Sequence, residues 1–96
     1  MARNITLLSG ASATGDWFAW DGGRGSFMAE GTAGGGSIVL QVRGPNGGAI
    51  AVGGETTFEA LPAIGNFELP PGQIRAAVSG GSPSGLHASA RKIGEA

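Results

Sequence analysis

Apolar and polar residues alternate along much of this 96-residue chain, and glycine or proline interrupts the alternation at short intervals. In residues 37–44, SIVLQVRG, every second residue is apolar: Ile38, Leu40 and Val42. Because successive side chains of a strand point to opposite faces, this period of two predicts a strand with one buried face. No window combines a helical apolar period with helix start and stop signals, so the pattern favours strands throughout.

The same alternation predicts eight or nine short strands. In chain order they are residues 5–9, 16–20, 25–31, 37–44, 49–53, 56–61, 66–69, 73–79 and 86–93. Turn sequences separate them, including GPNGG at 44–48 and PPG at 70–72. The Asp21-Gly22 pair is a hairpin signal, and it predicts that the strands on either side of it pair with each other. Short, evenly spaced strands predict an all-β fold, a compact antiparallel β-sandwich or small barrel with Greek-key or jelly-roll-like connections.

Composition predicts a single small domain that depends on neighbours. Residues 1–96 show no internal repeat and no domain boundary, and their number suits one domain. Without cysteine, neither a disulfide nor a thiolate metal site can supplement the core. Only 14% of the residues are charged, and 20 are glycine, which loses the most entropy on folding. These features predict surfaces that are covered in an assembly.

The distribution of charge and apolar residues bears on partners and location. The formal net charge is −1, without runs of either sign, so we expect no nucleic-acid partner. Apolar runs such as residues 38–40 are too short to cross a membrane, and the first residues lack the apolar stretch of a signal peptide. We therefore expect a soluble protein, made in a cytoplasm, with no membrane partner.

The sequence offers little for catalysis. The glycine-rich residues 31–37 contain no lysine and lead into a β-branched run, which favours turns over a phosphate loop. His87 is the only histidine, so a two-histidine metal site cannot form. There is no Gly-x-Ser-x-Gly motif, and carboxylates such as Glu59 and Glu68 fall on polar strand faces. We predict that the protein is not an enzyme and has no cofactor or metal.

Aromatic residues and the N-terminus are the candidate contact regions. Trp17, Phe18 and Trp20 alternate over both faces of one strand, so at least one large ring must point away from the core, unless both faces are buried. An exposed tryptophan is typical of a protein interface or of a sugar-stacking platform. Residues 1–8 form a possible N-terminal arm or edge strand, and Ala2–Leu8 could pair with a neighbour. The predicted interface residues are Ile5, Leu7, Trp17, Phe18, Trp20 and Phe27.

Two stretches carry a resemblance to a known class of protein. They are DGGRGSFMAEGTAGGGSIVLQVRGPNGG, at 21–48, and NFELPPGQIRAAVSGGSPSGLHASARKI, at 66–93. In strand–turn rhythm and in the phrase FELPPGQIRA, the chain resembles small all-β structural proteins of tailed bacteriophages, particularly capsid decoration or cement proteins. The resemblance implies a homotrimer on the capsid exterior of the virion, made in the bacterial host, that clamps subunits of the major capsid protein. No functional residues carry over one by one.

Two other readings stay open. One is a head–tail or tail component of the same small β type. The other is a carbohydrate-binding module in which Trp17 or Trp20 stacks on a sugar. A hydrolase built on a sandwich is the weakest reading, because no plausible catalytic set is present.

Overall fold

The computed structural model describes residues 4–93, and these contain nine β-strands and a single short 3-10 turn, Gly54–Thr56. The strands are Asn4–Ala11 (β1), Phe18–Trp20 (β2), Gly23–Thr32 (β3), Ser37–Arg43 (β4), Ala49–Ala51 (β5), Thr57–Phe58 (β6), Ala63–Leu69 (β7), Gly72–Ser79 (β8) and Ser84–Lys92 (β9). Within residues 4–93, no helix is long and apolar enough to cross a membrane. The predicted all-β fold is confirmed.

The strands form two antiparallel sheets that enclose one core. Sheet A has the order β1-β9-β3-β7. Sheet B has the order β2-β8-β4, and β5 and β6 share the remaining edge of β4. If β5 and β6 are counted as one interrupted strand, consecutive strands alternate between the sheets except at β4 and β5, which are neighbours in sheet B. This order is that of a jelly roll, so the antiparallel sandwich is confirmed.

The predicted hairpin at Asp21-Gly22 is wrong. β2 pairs with β8 in sheet B, whereas β3 pairs with β7 and β9 in sheet A. Gly22 and Gly23 have φ angles of 95° and 103°, values that L side chains rarely adopt. The glycines turn the chain from one sheet to the other. The prediction failed because the Asp-Gly signal for such a turn is the same as for a hairpin.

Residues 44–48, in contrast, form a true hairpin turn. β4 pairs directly with β5, and the Gly47 amide donates to the Gly44 carbonyl at 2.9 Å. Gly47 has a φ of 84°, as expected for the glycine of an Asn-Gly turn. The glycine-rich residues 33–36 also form a turn, between β3 and β4, which agrees with the turn reading of this stretch.

The core lies between the sheets and is filled from alternate positions of both. Phe27 of sheet A stacks on Phe58 of sheet B with ring centroids 5.3 Å apart, and Trp20 meets Phe67 at 5.0 Å. The apolar positions expected to face inward on β4, Ile38, Leu40 and Val42, pack in the core, and Val42 is partly buried. The buried core residues are Leu7, Leu8, Trp20, Phe27, Ala29, Ile38, Leu40, Phe58, Phe67, Ile74, Ala76, Leu86, Ala88 and Ala90.

β1 is an edge strand of sheet A with an irregular pairing. Its register against β9 shifts between Thr6 and Leu8, so Leu7 has no partner directly opposite. Such a bulge lets two sequence neighbours face the same side, and both Leu7 and Leu8 are buried. The described part of the predicted arm, residues 4–8, is thus an edge strand of its own chain, while residues 1–3 lie outside the described residues.

Candidate interface on the outer face of sheet B

Five of the six predicted interface residues serve the core of the chain itself. Leu7, Trp20 and Phe27 are buried between the sheets. Ile5 and Phe18 are partly buried and pack against the same core. The side chains of the three buried residues cannot contact a neighbouring protein, so a role in packing replaces their interface assignment. Ile5 and Phe18 keep part of their surface exposed, and their interface role stays a prediction.

Trp17 is the sixth residue, and it lies outside the core cluster. The segment that leads into β2 is held against β8: the Gly15 amide donates to the Ala76 carbonyl at 3.1 Å. The Thr14 hydroxyl oxygen accepts from the Val78 amide at 3.0 Å. These bonds hold Trp17 over the outer face of sheet B, as expected for a strand with large rings on both sides.

Two glutamine–arginine pairs lie beside Trp17 on this outer face. Gln41 of β4 stands opposite Arg75 of β8, and the Arg75 Nε donates to the Gln41 Oε1 at 2.8 Å. One step along the sheet, the Arg43 Nη1 donates to the Gln73 Oε1 at 3.1 Å. Each arginine therefore has a neighbour on the facing strand that fixes its orientation. We call Trp17, Gln41, Arg43, Gln73 and Arg75 the Trp17 patch.

Both arginines of the Trp17 patch approach the same indole ring. The guanidinium carbon of Arg75 lies 4.6 Å from the ring centroid of Trp17, and that of Arg43 lies 5.8 Å from it. Both distances suit cation–π interaction. Among residues 4–93, neither arginine forms an ion pair with a carboxylate; the ion pair found there joins Lys92 to Asp21 at 3.8 Å. The patch therefore holds two positive charges without a negative partner from the described chain.

The outer face of sheet A has a different character. One row across it consists of Thr6, Ser89, Met28 and Ile64, which are aligned by register. This row lines a shallow depression of about 750 Å³, and Ile64 is 64% exposed. His87 lies on the same face, opposite Glu30.

Metal-binding side chains do not converge on the face of sheet A. Within residues 4–93, no three histidine, cysteine, aspartate or glutamate side chains come together as a metal site. The lining of the depression combines hydroxyl groups and apolar side chains with the polar side chains of Glu30, His87 and Arg91.

The alternation of β4 puts Gln41 and Arg43 on the face opposite Leu40 and Val42, but it does not connect them with Trp17. A signal was present: β4 contains Gln-Val-Arg and β8 contains Gln-Ile-Arg. In an antiparallel pair, two such tripeptides set each glutamine beside the arginine of the other strand. The missing information was that β4 and β8 are neighbours, which depends on packing between distant parts of the chain.

Together, the fold and this face define a small jelly-roll β-sandwich with a cationic, aromatic outer patch. No protein-family model matches the sequence, and no curated protein matches it. By fold the chain is similar to the SPBc2 prophage-derived protein YomS, with a TM-score of 0.76 and 13% sequence identity. That similarity covers 95% of this chain and 91% of YomS. At this identity, the likeness shows a shared fold alone.

Two further likenesses are too weak to bear on function. IMPa from Pseudomonas aeruginosa, solved with an O-glycopeptide, gives a TM-score of 0.47 and 16% identity over 96% of this chain and 12% of IMPa. Infectious bursal disease virus, Gx strain, gives a TM-score of 0.37 and 14% identity, with 94% of this chain and 31% of the viral chain covered.

Proposed function

We propose that this chain is a structural protein of a phage virion: a capsid decoration, or cement, protein. It would bind the exterior of the head and stabilise contacts between subunits of the major capsid protein. The observation that carries this proposal is the fold shared with a prophage-derived protein over 95% of one chain and 91% of the other. The likeness extends over nearly the whole of both chains, so it concerns the entire sandwich and not a few of its strands.

The surface of the chain supports a role in binding another protein. Tryptophan and arginine are enriched among the residues that dominate binding energy at interfaces, and the Trp17 patch combines one tryptophan with two arginines. A homotrimer would present three such patches at once, and multivalent attachment turns weak single contacts into firm retention. The structural, non-catalytic role and the trimer are both parts of this proposal.

Capsid binding tests the proposed function directly. Heads of the phage or prophage that encodes this chain are prepared without its gene product, and the purified protein is added back. We expect saturable co-sedimentation with the heads and a higher temperature of capsid disruption. Light scattering of the free protein should give about three times the monomer mass of 9.4 kDa. Absence of both binding and stabilisation contradicts the decoration role; binding to isolated tails would indicate a tail component.

A carbohydrate-binding module is the second candidate, and Trp17 is the residue that favours it. Trp20 is buried and cannot serve as a stacking platform, so this earlier expectation is wrong. Trp17 is partly exposed and is flanked by the glutamine and arginine groups of the patch, which can bond to sugar hydroxyls. However, the guanidinium of Arg75 already lies over the ring. Glycan-array binding of the wild type and of Trp17→Ala tests this candidate. Absence of any glycan signal from the wild type excludes it.

A further inference from the structure

We propose that the Trp17 patch is a carboxylate-binding site for an acidic segment of a partner protein. Arg43 and Arg75 would each receive a carboxylate beside the Trp17 ring. This deepens the proposed function, on which it rests for the identity of the partner: the segment would belong to the major capsid protein.

The arginine side chains are already oriented for this chemistry. A guanidinium carries five N–H donors in a planar fork that matches a carboxylate. In Arg75 the Nε is bonded to Gln41, which leaves both Nη groups for a ligand. In Arg43 an Nη1 hydrogen is bonded to Gln73, which leaves the Nε and Nη2 side of the fork. Each arginine therefore retains a pair of donors for a bidentate carboxylate bond.

The charge of the patch favours an anionic ligand. Two guanidinium groups that face one ring repel each other, and no carboxylate among residues 4–93 pairs with either. An incoming carboxylate removes this repulsion and gains two charge-assisted contacts. Arg75 is half-buried, so a docked partner would exclude more water and strengthen the attraction.

The shape of the patch favours a protein segment over a small anion or an acidic glycan. Small-molecule sites are concave. Two cavities of the molecule lie away from the patch, one on sheet A and the other beside Gly36 and Gly80. The patch itself is built on the open face of paired strands, and Arg75 covers the ring that a sugar would need. An extended acidic segment can lie across such a face and meet both arginines.

The experiment is a titration of the isotope-labelled full chain with a synthetic glutamate-rich peptide, followed by NMR. We expect saturable shifts of the Trp17 indole N–H and of the Arg43 and Arg75 Nε–H signals, which weaken as salt is raised. A peptide with glutamine in place of glutamate should cause no shift. The double variant R43Q/R75Q should bind at least about tenfold more weakly.

Matched variants separate the site from general charge. R24Q/R91Q removes the same charge from two exposed positions of sheet A and should bind the peptide like wild type. R43K/R75K keeps the charge but loses the planar fork, so its affinity should fall between those of wild type and R43Q/R75Q. Thermal unfolding of each variant checks that the fold is retained. If R24Q/R91Q weakens binding as much as R43Q/R75Q, the proposed site is overturned.

Competing anions and capsids complete the test. Inorganic phosphate and a sulfated oligosaccharide are titrated at equal ionic strength, and tighter binding of either at the patch overturns the protein-segment proposal. If R43Q/R75Q binds capsids as strongly as the wild type does in the capsid assay, the proposal is also overturned. Failure of the wild type to bind capsids contradicts the decoration role alone, because the peptide titration does not depend on it.

Discussion

Gly65 lets strand β7 of sheet A pack closely against the 3-10 turn that precedes β6 of sheet B. It lies on β7 with its backbone directly against the carbonyl oxygen of Glu55, in the 3-10 turn before β6. A Cβ at Gly65 would overlap this oxygen. Sequence reasoning could identify the abundance of glycine but not this contact, because Glu55 reaches Gly65 only through the fold.

Gly65→Ala is expected to lower the free energy of unfolding by about 1–3 kcal/mol, since β7 or the turn must move to make room. Urea denaturation measures the change. Gly72→Ala is the matched control: Gly72 also lies in a strand outside the left-handed region, and no atom would approach its Cβ within 4 Å. Equal losses in the two variants would contradict the close approach.

Trp17 and Trp20 are three positions apart and differ in function. The alternating sequence predicted that one large ring leaves the core unless both faces are buried, but it did not show which ring, because both faces of the strand carry an aromatic residue. The position of β2 at the edge of sheet B determines which ring is in the core. Trp20 faces the other sheet, and Trp17 faces outward over Arg75.

Trp20→Ala should therefore lower the free energy of unfolding by about 3–5 kcal/mol, through loss of buried area and an unfilled cavity. Trp17→Ala should lower it by less than about 1 kcal/mol, the order of an exposed cation–π contact. Chemical denaturation followed by circular dichroism compares the two without depending on tryptophan fluorescence. A large loss for Trp17→Ala would mean that this ring is part of the core.

At the scale of strands, alternation predicts elements better than it predicts their partners. The bounds of β4, β8 and β9 agree with the sequence prediction to within two residues. The strand predicted at 56–61 is shorter in the structure, Thr57–Phe58. Residue 56 belongs to the 3-10 turn, and pairing with β4 ends at Phe58. Which strands pair is set by long-range packing, so the neighbouring Gln-x-Arg segments could not be joined from local pattern alone.

β4 offers a direct test of alternation at adjacent positions. Leu40 is fully buried, and Leu40→Ala should lower the free energy of unfolding by about 2–5 kcal/mol. Val39 lies on the outer face opposite Ala77, and Val39→Ala should lower it by less than about 1 kcal/mol. Urea denaturation of the two variants should give well-separated midpoints, and coincident midpoints would contradict the assigned faces.

For the whole molecule, the jelly-roll order makes nearly all strand pairing non-local. Among the described strands, β4 and β5 are the one pair that is adjacent both in the chain and in a sheet. Closing long loops before contacts form slows folding, so we expect refolding from urea in milliseconds to seconds. Stopped-flow tryptophan fluorescence measures the rate. Complete refolding within microseconds would contradict the pairing order.

The strands β8 and β9 have a consequence for synthesis of the chain on the ribosome. β8 lies between β2 and β4, and β9 lies between β1 and β3, so residues 72–92 supply an interior strand to each sheet. A nascent chain cannot complete either sheet until these residues have emerged. At translation rates of about 5–20 residues per second, the earlier strands wait on the order of seconds with unpaired edges. A premature stop before residue 72 would leave those edges open permanently, as templates for aggregation.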